Sequence, residues 1–202
     1  QEMLNQQMVE GTRVRATQLL PNQGSLHDST NSLDWAIQGE GFFSVTLPDG
    51  TVGYTRDGQL TLDAERNLVT ASGYPLVWDG TIPEGTVNIS VSADGTVSGQ
   101  DAAGANVDLG TVGLTRFPNP SGLTSFGDNV WLESDASGAA QAGAPGDENF
   151  GTLSSFRVEQ SNVELSQELT HLITLQRSFS MSLKAFEQTD AMISQAINLR
   201  KA

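Results

Sequence analysis

Residues 161–202 read SNVELSQELTHLITLQRSFSMSLKAFEQTDAMISQAINLRKA, with neither glycine nor proline in the run. Leu165, Leu172, Phe179, Phe186 and Ile193 recur every seven residues, and Leu169, Gln176, Leu183, Asp190 and Ile197 form a second set between them. The two sets alternate four and three apart, which is the spacing of a heptad seam on one long helix. Gln176 and Asp190 place polar groups in that seam, where such residues fix register. Ser161 or Asn162 is the expected cap, with Glu164 as the reciprocal carboxylate of a capping box. A helix of about 40 residues is about 60 Å long, more than a domain of this size can cover. The apolar stripe therefore calls for another helix, in a neighbouring subunit or in a segment preceding Gln1.

Working back from the helix, residues 32–160 carry a different period. Phe43, Val45 and Leu47 alternate with polar residues, Pro48-Asp49-Gly50 makes a turn, and Thr51-Val52-Gly53-Tyr54-Thr55 returns. Asp57-Gly58, Asp79-Gly80 and Asp94-Gly95 are expected as further turns between the short runs Gln59–Leu62, Leu68-Val69, Tyr74–Val77, Val87–Val91 and Thr96–Ser98. Thr111–Phe117, Asn129–Glu133 and Thr152–Glu159 are later strand candidates. Residues 134–152, rich in Gly, Ala, Ser and Asp, are expected as a mobile or contact-making loop. Residues 1–31 form a connecting arm, extended over Thr12–Leu19 and irregular over Leu26–Asn31. The expected class is mainly β, a complex β-rich domain over residues 32–160, followed by a long C-terminal α-helix that serves as a coiled-coil-like core element over 161–202.

Composition narrows the chemistry. A net charge of −14 over 202 residues opposes binding to nucleic acid or to an anionic membrane surface. No run approaches the roughly 20 apolar residues of a spanning helix, and no signal peptide is visible at the start. The absence of Cys excludes disulfides and thiolate sites. His27 and His171 have no metal-ligand spacing around them, and neither lies near a nucleophile elbow. Gly39-Glu40-Gly41 runs into Phe42-Phe43-Ser44, without the third glycine or the following helix of a phosphate loop. The glycines are better explained by close backbone approach before the Phe pair enters the core. Asp49, Asp57, Asp79 and Asp94 each precede Gly, so turn roles account for them before any acid pair does. Trp35, Trp78 and Trp131 are expected in the core, with burial at a subunit interface as the alternative. No catalytic residue, metal or cofactor is expected.

Three segments together resemble one known family. They are Ser32-Leu33-Asp34-Trp35-Ala36-Ile37-Gln38-Gly39-Glu40-Gly41-Phe42-Phe43, then Tyr54-Thr55-Arg56-Asp57-Gly58-Gln59-Leu60 continued by Leu68–Tyr74, and Gln160-Ser161-Asn162-Val163-Glu164 before the helix with Gln176-Arg177. In this order they are similar to the rod and hook family of bacterial flagellar axial proteins. Thr12–Val14 through Gln23–Leu26, Gly110–Leu114 and Gly127–Asn129 resemble its distal rod branch, with the proximal rod branch as the alternative. The hook branch fits less well, because it carries a further outer domain.

The resemblance implies a structural, non-enzymatic subunit that polymerises helically with copies of itself into a hollow shaft transmitting motor torque to the hook. It implies other rod proteins, the hook protein and the surrounding bushing rings as partners. It also implies export by the flagellar secretion system and a place in the basal body from the periplasm to the outer membrane. The family pattern has an N-terminal helix that here would precede Gln1, so the full protein is expected to be longer. A soluble β-rich ligand-binding module, or a hydrolase using two carboxylates, is the competing expectation.

Overall fold

The computed structural model describes the backbone of residues 23–201 and the side chains of residues 23–193. The arm expected over Thr12–Leu19 lies outside the described residues, as does the side chain of Ile197. The protein is mainly β with one long C-terminal helix, and it divides into two compact units, Gln1–Ser161 and Asn162–Ala202.

The first unit is built from short antiparallel strands, because turn-forming residues interrupt the period-2 pattern every few positions. β1 (Leu26–Asp28) and β2 (Trp35–Gln38) precede the hairpin of β3 (Phe43–Thr46) and β4 (Val52–Thr55). β5 (Leu60–Leu62) and β6 (Leu68–Thr70) form a second hairpin. β7 (Asp79–Gly80), β8 (Val87–Val91), β9 (Thr96–Gln100) and β10 (Asn106–Thr111) make a four-stranded sheet in the order β7-β10-β9-β8. After β11 (Leu114–Arg116) come β12 (Thr124–Gly127) and β13 (Val130–Leu132), which extend the β3–β4 hairpin into the order β12-β13-β4-β3. β14 (Gln141–Gly143) pairs with β11, β15 (Thr152–Ser155) with β2, and β16 (Arg157–Glu159) with β1.

The alternation in β3 is realised as expected: Phe43, Val45 and Leu47 are buried in the main core with Trp35, Ile37, Leu60, Leu68, Val97 and Leu114. Phe42 turns the other way and joins a second cluster with Tyr54, Phe117 and Leu123. Tyr54 and Phe42 both meet Phe117 edge-on, at centroid distances of 4.7 and 6.1 Å. Trp35 is fully buried, while Trp78 and Trp131 pack half-buried against the main and the second cluster respectively.

Four sequence expectations are corrected. Leu26–Asp28 is a strand and not loop, because Arg157–Glu159 supplies its ladder partner. Asp79-Gly80 is the strand β7 and not a turn: Gly80 pairs with Gly110, so close that a Cβ on Gly80 would lie 2.3 Å from the Leu109 carbonyl oxygen. Residues 134–152 contain β14 and a fully buried Ser137, whose hydroxyl donates to the Ser134 carbonyl while accepting from the Ser134 N–H. Thr152–Glu159 is two strands, broken at Phe156.

The Asp49-Gly50 and Asp94-Gly95 turns do close hairpins, and their carboxylates brace them. Thr51 donates its hydroxyl and N–H to Asp49; Thr96 donates its N–H and hydroxyl to Asp94; Asn67 donates its amide and N–H to Asp63 in the β5–β6 turn. These bonds hold all three carboxyls below the ordinary value of 3.8. A depressed folded value means stabilisation that is present above the ordinary carboxylate range and is lost as pH falls through the folded value. Thermal unfolding followed against pH is therefore expected to show these contributions fading below about pH 4, with a shallower acid limb in an Asp49→Asn, Asp94→Asn double variant.

The second unit is α1 (Leu165–Lys201). It starts after the expected caps: the Glu164 carbonyl accepts from the Glu168 and Gln167 N–H groups, so Glu164 holds the cap position. The Gln167 side-chain amide donates to the Glu164 carboxylate, a bond between side chains and not the side-chain-to-backbone contact of a capping box. Thr170, Thr174, Ser178 and Ser182 form an i+4 row in which each hydroxyl donates to the carbonyl four residues before, at 2.8–3.0 Å. That row is polar by composition yet satisfied within the helix.

Candidate assembly site

Two arrangements stand out, one in each unit. In the first, Arg56 follows β4 and its guanidinium gathers carbonyls from the β2–β3 turn. Nη1 donates to Gly39 O at 3.2 Å and Gly41 O at 3.0 Å, and Nη2 donates to Gly39 O at 3.1 Å. Gly39 and Gly41 have φ of 113° and 141°, backbone that aims these carbonyls inward and that other residues rarely adopt. The guanidinium carbon sits 5.9 Å from the centre of the Phe42 ring.

Arg56 also donates from Nε to Glu159 Oε2 at 3.0 Å, with both side chains largely buried. The other Glu159 oxygen accepts the Gly24 N–H at 2.8 Å. Gln23 completes the knot, donating its amide to Ile37 O at 2.8 Å and accepting the Gly39 N–H at 3.1 Å. Beside it, β1 and β16 pair in register from Leu26↔Glu159 to Asp28↔Arg157, and the Gln160 N–H donates to Ser25 O. The segment entering the unit and the segment leaving it thus run antiparallel and are tied to the same arginine.

Of the motif residues singled out in the sequence, the structure brings Gly39, Gly41, Phe42 and Arg56 together here. Phe43 and Tyr54 are core residues of separate clusters. Asp57 accepts the Gln59 N–H, and Gly58 lies so close to β2 that a Cβ would sit 1.7 Å from the Trp35 carbonyl oxygen. Ser161, Asn162 and Val163 lie in the link between β16 and α1. Sequence reasoning missed Gln23, Gly24 and Glu159. One signal pointed towards them: Arg56 is one of only 10 cationic residues in the chain and directly follows a strand, and a guanidinium there needs acceptors.

The second arrangement is the face of α1. Leu165, Leu169, Leu172, Phe179, Leu183, Phe186 and Ile193 are all exposed, from 49% at Leu183 to 76% at Phe186. Gln176 and Asp190 are exposed with them. Among the described side chains of the helix, most hydrophobic ones lie in or beside this seam, and Met181 and Met192 sit well away from it.

Two recesses lie among the described residues: one of about 480 Å³ beside Glu133, Ser134 and Asp135 is wide open to solvent, and one of about 110 Å³ beside Arg66, Trp78 and Ile82 falls below the size that encloses a substrate. Among the described residues no group of His, Asp and Glu is arranged to hold a metal ion, and no helix is long and apolar enough to cross a membrane.

Comparison with known proteins places both arrangements in context. Residues 36–99 match the family described as flagellar hook protein FlgE/F/G D1 domain, and residues 154–199 match flagellar basal body rod FlgEFG protein C-terminal. The knot spans the two matches, with Arg56 in the first and Glu159 in the second. The chain is 37% identical over 201 residues to the flagellar basal-body rod protein FlgG of Borreliella burgdorferi, covering 98% of this chain and 76% of that protein. It is 37% identical over 192 residues to the FlgG of Caulobacter vibrioides, covering 94% and 73% respectively. To the flagellar hook protein FlgE of Escherichia coli it is 38% identical over 122 residues, which covers 60% of this chain and 30% of that protein. Likeness to the rod proteins runs along nearly the whole chain, and likeness to the hook protein along part of it. The chain belongs to the FlgE/F/G family of bacterial flagellar rod and hook proteins, on the side of the FlgG rod proteins.

Proposed function

We propose that the chain is a structural, non-enzymatic subunit of the distal rod, which polymerises helically into the hollow drive shaft of the flagellar basal body. The single observation that carries this reading is the exposed seam of α1. Seven large apolar side chains at heptad spacing face solvent in the isolated chain, and a surface of that kind is stable in water only when another helix covers it. In the shaft, α1 lies in the inner tube and packs through Leu165, Leu169, Leu172, Phe179, Leu183, Phe186, Ile193 and Ile197. Gln176 and Asp190 set its register. The strict seven-residue repeat drifts by about 20° per heptad on a straight helix, so the packed helices take a left-handed supercoil.

The β unit forms the outer layer over residues 32–160. The Arg56 knot holds the entering and leaving segments to that unit at one point, through charged hydrogen bonds. Copies of this chain, other rod proteins and the hook protein are its partners, and the surrounding bushing rings bear on its outer layer. It reaches its place, from the periplasm to the outer membrane, through the flagellar secretion system. A proximal rod position is the alternative.

Helical reconstruction of isolated rods tests the reading. The expected map has α1 in the innermost layer with its seam against neighbouring helices. A map with α1 on the outer surface, its seam in solvent, would overturn it.

A further inference from the structure

We infer that Phe156 is a contact residue between subunits, its ring docking on a second copy of this chain. The inference rests on the polymerising-subunit reading. Phe156 has a φ of 58°, in the left-handed region that is unfavourable for a bulky side chain. The fold imposes this backbone. Ser155 pairs with Trp35 in β2, whereas Arg157 pairs with Asp28 in β1, so the chain changes partner strand at Phe156. Its carbonyl accepts the Ser29 N–H at 2.7 Å, and the next N–H, of Arg157, donates to Asp34 O at 3.1 Å. On the other side the Ser155 hydroxyl is bonded to both the N–H and the carbonyl of Val91. No freedom is left to relax the kink.

The other non-glycine residues with positive φ are Arg66, Asn88, Asp128, Asn129 and Asn149. Four are Asn or Asp, which tolerate the left-handed region. Arg66 is held by its head group, which donates to Ile82 O and Thr86 O. Phe156 has neither excuse, and the residue is 46% exposed, so packing within the chain covers only about half of it. Glycine would serve the isolated fold better at this position.

A phenylalanine kept there has its use outside the chain. On the polymerising reading the neighbours of each subunit are other copies, and because the 202 residues carry a net charge of −14, an uncharged apolar ring is a contact that such copies can make without repulsion. Phe156 also lies three residues before the Glu159 of the knot, on the segment that leads to the α1 seam.

The test uses the purified full-length protein, comparing wild type with Phe156→Gly and Phe156→Asn in two measurements. In thermal unfolding of the monomer, the glycine variant is expected to gain about 2–4 °C as the strain is released. In polymerisation, both variants are expected to raise the critical concentration roughly tenfold, the factor lost when half a buried ring is removed. An unchanged critical concentration, with wild type assembling normally, overturns the inference alone and would mean that the ring meets some other protein or none. A fall in Tm for Phe156→Gly also overturns it, because the ring would then be packing within its own chain. Wild-type protein that does not polymerise overturns the polymer reading, and the inference with it.

Discussion

Replacing Arg56 with alanine is expected to lower the stability of the β unit by about 3 kcal/mol, the cost of breaking a largely buried ion pair from one side. Only 20% of the Arg56 side chain and 13% of the Glu159 side chain are exposed, so the remaining carboxylate keeps one bond, from the Gly24 N–H, and little water. The Gly39 and Gly41 carbonyls lose their donor at the same time. For a chain of this length the loss corresponds to a fall in Tm of roughly 6–12 °C. Lysine is expected to restore little of it, because a single ammonium cannot reach Glu159 and two carbonyls together as the planar guanidinium does. A Glu159→Ala change added to Arg56→Ala should cost less than it does in wild type, since the acid no longer has a partner to lose. Arg157→Ala is the control: its partner Asp28 is 88% exposed, and such pairs contribute about 0–1 kcal/mol. Calorimetric unfolding of Arg56→Ala, Arg56→Lys, Glu159→Ala, the double variant and Arg157→Ala measures this. Equal, small losses in Arg56→Ala and Arg157→Ala would show that the knot does not hold the fold.

The α1 seam should behave in the opposite way. Leu172→Asp and Leu183→Asp are expected to leave the Tm of the β unit unchanged, because both side chains are exposed in the isolated chain, at 59% and 49%. Assembly is expected to collapse. Each leucine withdrawn from a packed seam forfeits about 1.5–3 kcal/mol, and the carboxylate adds the cost of burying a charge. Together these exceed a hundredfold in the association constant at every subunit contact. Met181→Asp, 71% exposed and away from the seam, should assemble more nearly like wild type. Sedimentation of purified protein and electron microscopy of basal bodies read the outcome. Normal rods from Leu172→Asp and Leu183→Asp would remove the seam from the assembly mechanism.

The two variants separate what could be read from the sequence from what could not. The seam was legible because a helix face is set by residues three and four positions apart, all within one local stretch. The β3–β4 and β8–β9 hairpins were legible for the same reason: period-2 alternation and an Asp-Gly turn are both local signals. Local signals also misled where a distant strand overruled them. Asp79-Gly80 has turn composition, but β10 takes it as an edge strand. Gln141–Gly143 has loop composition, yet β11 pairs with it. Thr152–Glu159 has strand composition throughout, and only the switch from β2 to β1 as partner breaks it at Phe156. The helix starts later than cap preference suggests: Ser161 and Asn162 have the side chains favoured at a cap, whereas Glu164, whose carbonyl accepts the first helical bonds, does not.

By itself the sequence determined a β-rich chain with one long helix whose apolar face needs a partner, because both conclusions depend on spacing along a short stretch. The tertiary structure alone decided the knot. Arg56 meets Glu159 across 103 positions, and Glu159 meets Gly24 across 135. Most of the acceptors that hold the arginine are main-chain carbonyls, which every residue carries and which therefore leave no mark in the sequence.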